Sequence, residues 1–284
     1  MKQGSYPSWL GASLCASVLL GCGNTGAPPL TYEVDGKPVL TTLTEQVIVP
    51  EHQAFASAGD ALVVAVQALA DGPNAASLAR AQTAWRDARK AYRHLDALHF
   101  GPGYSLHIGE RIDVAPVDAA GVDALINGGA AVDDAAVANA AGKRKGFLGL
   151  EYLLFAAPEA SDSDPVLVDD AAAPRRRALA LSMADEIAKS AHQLDEAWDP
   201  DQGGFVTQLQ LAGAGSTAYP TQRAAVDALV GGIDDALEIV VGRRLAPPLG
   251  NQTGGGGVPA PDLDPTRRSD SAVADLQASL EGAL

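Results

Sequence analysis

Two carboxylates occupy positions where burial or spacing could support chemistry. Glu151 lies inside the apolar run from Gly146 to Phe155, which predicts a buried helix. A carboxyl group in such a core has a raised pKa and could act as a metal ligand or a general base. Alternatively, it could hydrogen-bond a buried loop N–H or pair with an arginine such as Arg86 or Arg111.

A second pattern pairs His107 with Glu110 in a His-x-x-Glu spacing. On a helix this spacing would place both side chains on one face, where they could share a metal ion. Neighbouring glycine and proline predict a loop instead, so we interpret the spacing as chance. The sequence contains no nucleophile elbow, P-loop, dinucleotide fingerprint or His-Glu-x-x-His motif, so no hydrolase or nucleotide chemistry can be assigned from motifs.

The N-terminus reads as a secretory signal over residues 1–21. Lys2 provides the positive charge, and a short apolar run ends in Leu19-Leu20-Gly21-Cys22, which is similar to a bacterial lipobox. In such signals the cysteine is lipidated, so we expect a membrane anchor at Cys22 and a flexible tether over residues 22–40. The expected location is the bacterial cell envelope, on the outer membrane and facing the periplasm or the surface.

Composition limits the fold and the partners. Hydrophobic residues make up 47% of the 284 residues and aromatic residues only 5%, which argues against disorder and against a strand-built core. The formal net charge of −15 disfavours binding to the phosphate backbone of nucleic acids.

Hydrophobic periodicity predicts an all-α fold built of antiparallel helical bundles over residues 41–250. The first helix is predicted over residues 44–70, with a bend near Pro50. A later helix carries the clearest apolar stripe, through Leu78, Ala81, Trp85, Ala88, Tyr92 and Leu95. Residues 251–268 form a Gly- and Pro-rich loop, and residues 269–284 begin a C-terminal helix that is too short to be stable unless it docks.

A series of motifs resembles the imelysin-like family, bacterial envelope proteins also classed as peptidase family M75. In order, they are Ala84 to Arg89 with His99 to Pro102, Arg111 to Asp113 followed by Pro116, Lys145 to Phe155, Leu194 to Trp198 with Gly204-Phe205, and Leu245 to Gly250 before Ser269 to Ser271. The structural signature residues within them are Trp85, Arg111, Asp113, Pro116, Gly146 and Glu151. The resemblance implies two helical bundles and a link with iron acquisition.

This sequence departs from the family pattern at its signature, Gly-x-His-x-x-Glu. Leu148 stands at the position of the histidine, so the metal-binding pair that the resemblance implies is reduced to Glu151. The cofactor is therefore open between iron, another divalent metal and none. Family members also continue beyond the Ser-Asp-Ser segment, so we expect the second bundle to be incomplete here.

Three functions are compatible with these features. The favoured one is a non-catalytic envelope lipoprotein that acts in iron acquisition as a binding or accessory component. The second is a scaffold without a metal function, whose exposed helix faces bind an envelope protein or a second copy of the chain. The third is a metallopeptidase, which the missing histidine disfavours because a zinc hydrolase needs three protein ligands.

Overall fold

The computed structural model describes residues 35–157, 164–252 and 256–284. These residues are helical or irregular and contain no strand, which confirms the predicted all-α fold. The predicted signal over residues 1–21 and the predicted lipidation of Cys22 lie outside the described residues.

The first part of the chain carries the helices that build most of the core. They are α1 (Lys37–Leu43), α2 (Val49–Asp71), α3 (Ala75–His94), α4 (Pro102–Ser105), α5 (Ile108–Ile112), α6 (Ala119–Asn127), α7 (Asp134–Asn139) and α8 (Gly146–Leu154). The second part contains α9 (Ala173–Trp198), α10 (Phe205–Gln210), α11 (Gln222–Glu238) and α12 (Ala272–Glu281). Two π-helical turns, Thr44–Ile48 and Ile239–Leu245, and a 3₁₀ turn, Leu95–Leu98, also shape the fold.

The core lies between the long helices α2, α3 and α9, with the short helix α8 packed against α3 and α9. The predicted stripe of α3 is correct, since Leu78, Trp85 and Ala88 are fully buried or nearly so. Trp85 also donates a hydrogen bond from its indole N–H to the carbonyl oxygen of Phe147, at 3.0 Å. This bond joins α3 to α8 between two fully buried residues.

The N-terminal helix begins earlier than its apolar pattern indicates. The helix starts at Lys37 rather than near residue 44, because Pro38 is well suited to a first helical turn. Just before Pro50, where the sequence predicts a bend, the π-helical turn Thr44–Ile48 joins α1 to α2. The helical stretch Lys37–Asp71 is long and apolar enough to cross a membrane by length and composition alone. Its apolar face is nevertheless used in the core.

The C-terminal segment docks on the rest of the protein, which a helix this short needs in order to be stable. Helix α12 packs mainly on α3 and also contacts α11 and the π-helical turn Ile239–Leu245. Asp275 and Ser279, one helical turn apart on α12, are both buried in this contact. Polar side chains therefore help to fix α12 to the rest of the protein, beside the buried Ala278, and they lie next to the candidate site.

Candidate functional site

A cavity of about 550 Å³ lies where α3, α5, α8, α12 and the π-helical turn Ile239–Leu245 meet. Its apolar wall is formed by Leu148, Ile239 and Leu276, and its polar wall is dominated by arginine and aspartate. A cavity of this volume with few, convergent polar groups is typical of a small-molecule site.

The polar wall of the cavity contains a cluster that we call the buried ion network. Its members are Arg89, Arg93, Arg244, Asp96, Asp113 and Asp275. Each of them also lines the cavity. Three cations are thereby balanced by three anions in a region with little access to water, which is the condition under which buried charges are tolerated.

Arg89 is the centre of the buried ion network. Its Nε lies 2.8 Å from Oδ2 and 3.0 Å from Oδ1 of Asp275, while its Nη1 lies 3.1 Å from Oδ1 of Asp113. Arg93, one turn further along α3, donates from Nη2 to Oδ2 of Asp113 at 2.5 Å. The two arginines of α3 therefore join the residue that follows α5 to the middle of α12.

Asp96 and Arg244 complete the buried ion network on its other side. Arg244 donates from Nη1 to Oδ2 of Asp96 at 2.7 Å and to Oγ of Ser279 at 2.5 Å. Burial alone would raise the pKa of Asp113, but attraction to Arg93 and Arg89 outweighs it and holds that pKa well below its usual range. Asp96 has a lowered pKa for the same reason, with Arg93 and Arg244 as the nearby cations. Both carboxylates are therefore ionised at neutral pH.

The two signature positions on α8 have different surroundings, one at the cavity and the other in the protein interior. Leu148 is buried and lines the cavity, whereas Glu151 is not among the lining residues. Glu151 Oε1 instead accepts a hydrogen bond from the backbone N–H of Ser269 at 2.8 Å. A leucine side chain offers no lone pair, so these residues do not fit the two-ligand metal site that the family signature implies.

His107 and Glu110 lie at the mouth of the cavity and contact each other. His107 Nδ1 is 3.1 Å from Glu110 Oε1, and the two side chains are 60% and 78% exposed. The prediction of a loop is wrong for Glu110, which lies on α5, because the buried Ile108 and Ile112 hold this short helix against the core. His107 precedes α5 with a φ of 51°. Within the described residues, no group of three or more His, Cys, Asp or Glu side chains is placed to hold a metal ion.

The remaining signature residues make contacts or adopt backbone conformations that the sequence pattern does not specify. Arg111 donates to Oε1 of Gln193 on α9 at 2.6 Å, and Pro116 follows a cis peptide bond. Gly146 begins α8 with a φ of +65°, and a Cβ there would lie 2.3 Å from the carbonyl oxygen of Ile112. Only glycine allows this close approach of α8 to the end of α5.

Removing the carboxylate of Glu151 tests its contact with Ser269. Glu151→Ala is expected to lower the free energy of unfolding by about 1–3 kcal/mol, because it leaves the buried N–H of Ser269 without an acceptor. Glu151→Gln keeps an acceptor oxygen and is the matched control. Urea unfolding of the three proteins measures the difference, and an alanine variant as stable as the wild type would contradict the assignment.

The same pair of variants has a defined pH dependence. Burial raises the pKa of Glu151 above its ordinary value of 4.5, and the hydrogen bonds from Ser269 offset this only in part. The folded protein therefore holds this proton more tightly than the unfolded chain, so the contribution of Glu151 is most favourable below pH 4.5 and declines as the pH rises through the folded pKa. Glu151→Gln is expected to lose this decline, and unfolding free energies measured across that range test it.

Comparison with known proteins shows which family this chain is similar to. The chain matches the family described as Imelysin, peptidase M75, over residues 48–284. Iron-regulated protein A of Synechococcus elongatus is 30% identical over 276 residues, which cover 96% of this chain and 68% of that protein. The match extends over both the signature segment on α8 and the docked helix α12.

Two crystal structures share the fold. One is an iron-regulated protein A precursor from Parabacteroides distasonis, with a TM-score of 0.69, 17% identity, and coverage of 87% of this chain and 72% of the other. The second is an imelysin-like protein from Psychrobacter arcticum, with a TM-score of 0.65, 16% identity and the same coverage. At these identities the likeness concerns the fold alone. The extent of the family match confirms the resemblance found in the sequence: the chain belongs to the imelysin (peptidase M75) family.

Proposed function

We propose that this protein is an iron-related component of the bacterial cell envelope that binds its ligand without cleaving it. The observation that carries this proposal is the side chain of Leu148, which lines the 550 Å³ cavity at the signature position of the missing histidine. The name of the Synechococcus elongatus relative, iron-regulated protein A, supports the link with iron. A lipid anchor at Cys22 and a place on the outer membrane belong to the same proposal and rest on the lipobox-like sequence.

The donor chemistry of the signature segment supports binding over peptidase activity. A hydrolytic zinc site uses three protein ligands and keeps one position open for water. Here Leu148 contributes only carbon, and Glu151 is held by the backbone of Ser269 rather than lining the cavity. Metal-dependent, chelator-sensitive cleavage of a test peptide by the purified protein would contradict the non-catalytic assignment.

Titration of Fe(II), Fe(III) and Zn(II) into the soluble protein that starts after Cys22 tests whether the residue at position 148 determines metal binding. We expect no stoichiometric binding of free ions by the wild type, and a gain of binding in Leu148→His, which places a nitrogen ligand one turn before Glu151. Leu148→Met conserves side-chain volume and is the matched control. Tight binding by the wild type that Glu151→Ala abolishes would show that a direct metal site persists.

A second candidate function, a partner-binding scaffold, is favoured by one surface. Four apolar residues on one face of α11 and the π-helical turn that follows are markedly exposed, namely Val230 at 58%, Ile233 at 37%, Leu237 at 42% and Val241 at 60%. Contiguous exposed apolar surface of this kind is typical of association sites, for an envelope protein or for a second copy of the chain. Sedimentation velocity that shows association in the wild type and its loss in Leu237→Asp would favour this function.

A further inference from the structure

The π-helical turn Ile239–Leu245 carries two successive arginines, Arg243 and Arg244, and both line the cavity. Arg244 uses Nη1 for Asp96 and Ser279, and its Nη2 and Nε make no hydrogen bond within the described part of the chain. Arg243 is exposed and has no ion pair with any described residue. Insertions of π-helix are often found at functional sites, where they alter which side chains face a ligand.

Two further donors on α3 make no hydrogen bond to a described residue at the same cavity. The Nε of Arg93 is buried without a hydrogen bond, its closest anion being Oδ2 of Asp275 at 3.5 Å. Tyr92 also lines the cavity, and its hydroxyl makes no hydrogen bond to a described residue. Burial raises the pKa of Tyr92, so this hydroxyl remains a neutral donor.

The acidic residues of the cavity, in contrast, already have partners. Asp96, Asp113 and Asp275 are paired within the buried ion network. Asp264 accepts from the N–H of Thr266 at 2.9 Å, and Glu110 contacts His107 at the mouth. The cavity therefore offers donors that its own acceptors do not use, above all the guanidinium groups of Arg243 and Arg244. A ligand that satisfies them has to bring acceptor oxygens with it, and ionised acceptors make the stronger hydrogen bonds to guanidinium groups.

We propose that the cavity binds a small organic polycarboxylate, with Arg243 and Arg244 as the groups that recognise its carboxylates. Planar guanidinium groups suit carboxylates because two parallel N–H···O bonds can form to one group. The apolar wall of Leu148, Ile239 and Leu276 contacts the carbon skeleton. In a further step, which rests on the proposed function, the polycarboxylate carries iron, so the metal is held by its chelator and needs no ligand from Leu148 or Glu151.

Isothermal titration calorimetry with citrate and with ferric citrate tests this proposal on the purified protein. Both probes are expected to bind the wild type, because the recognised groups are carboxylates. Arg243→Gln is expected to weaken binding about tenfold to a hundredfold, the range for losing a charged hydrogen-bonding group. Because Arg243 is exposed, this variant should fold normally, which its melting temperature checks. Arg223→Gln is the matched control, since Arg223 lies at the other end of α11, pairs with Asp227 at the surface and does not line the cavity.

The outcomes separate the cavity proposal from the proposed function. Binding of citrate but not of ferric citrate, lost in Arg243→Gln, would support the polycarboxylate site and contradict the role in iron handling. If neither probe binds, or if Arg243→Gln binds both as tightly as the wild type, the polycarboxylate site is overturned. Ferric citrate binding that survives Arg243→Gln and disappears in Glu151→Ala would likewise overturn it, in favour of direct metal coordination.

Discussion

Replacing Arg89 by alanine is expected to lower the free energy of unfolding by about 3–5 kcal/mol, because two buried carboxylates lose a guanidinium partner. The guanidinium group of Arg89 is 2% exposed and contacts Asp275 on α12 as well as Asp113 after α5. Loss of its charge leaves both anions in a low-dielectric region, with Arg93 as the one arginine among the described residues that still forms an ion pair with them. Urea unfolding followed by circular dichroism measures the change, and α12 should become more accessible to proteases because Asp275 loses its strongest partner.

Two further variants separate the charge pairing from a general effect of mutation on α3. Lys90→Ala removes the neighbouring exposed contact between Lys90 Nζ and Glu281 Oε2, at 3.3 Å, and should cost less than about 1 kcal/mol. The double variant Arg89→Met with Asp275→Leu replaces the buried pair by apolar groups and should recover much of the lost stability. An Arg89→Ala protein as stable as Lys90→Ala would contradict the importance of the buried ion network.

Trp85→Ala is expected to destabilise the protein by about 3–5 kcal/mol, the range for truncating a buried tryptophan. Trp85 is fully buried, and its ring centroid lies 5.3 Å from that of Phe155 and 6.1 Å from that of Phe147. Truncation leaves a cavity between α3 and α8 and removes the hydrogen bond to the carbonyl oxygen of Phe147. The midpoint and slope of urea unfolding give the loss.

The control for this prediction is a truncation at the surface. Val64, on the exposed side of α2, is 70% exposed, so Val64→Ala should change stability by less than about 0.5 kcal/mol. Trp85→Phe retains most of the aromatic contact and should fall between the two. A Trp85→Ala variant that unfolds at the wild-type midpoint would show that the α3–α8 contact is not central to the fold.

Local periodicity predicted the helices well because burial along one helix repeats at a fixed spacing. The stripe through Leu78, Trp85 and Ala88 is the case that shows this most clearly. Apolar periodicity begins the first helix too late, because the residues before Thr44 carry little apolar pattern, although Leu40 is buried. A proline near the start, Pro38, was the signal that could have extended it.

The cavity could not be predicted in the same way, because its parts are far apart in the chain. Nothing in the sequence around Arg89 identifies Asp275 as its partner, because the two residues are 186 positions apart and meet only when α12 docks. Glu151 is a second residue whose partner is distant in the sequence. Its hydrogen bond to a loop N–H was one of the alternatives, but nothing in the local sequence identifies Ser269 as the donor.

The most direct test of the account is anomalous X-ray diffraction at the iron edge from crystals of this protein grown with ferric citrate. We expect an iron peak inside the 550 Å³ cavity, with citrate carboxylates against Arg243 and Arg244 and no protein side chain in the coordination sphere of the metal. Iron bonded directly to Glu151, or to His107 with Glu110, would contradict it.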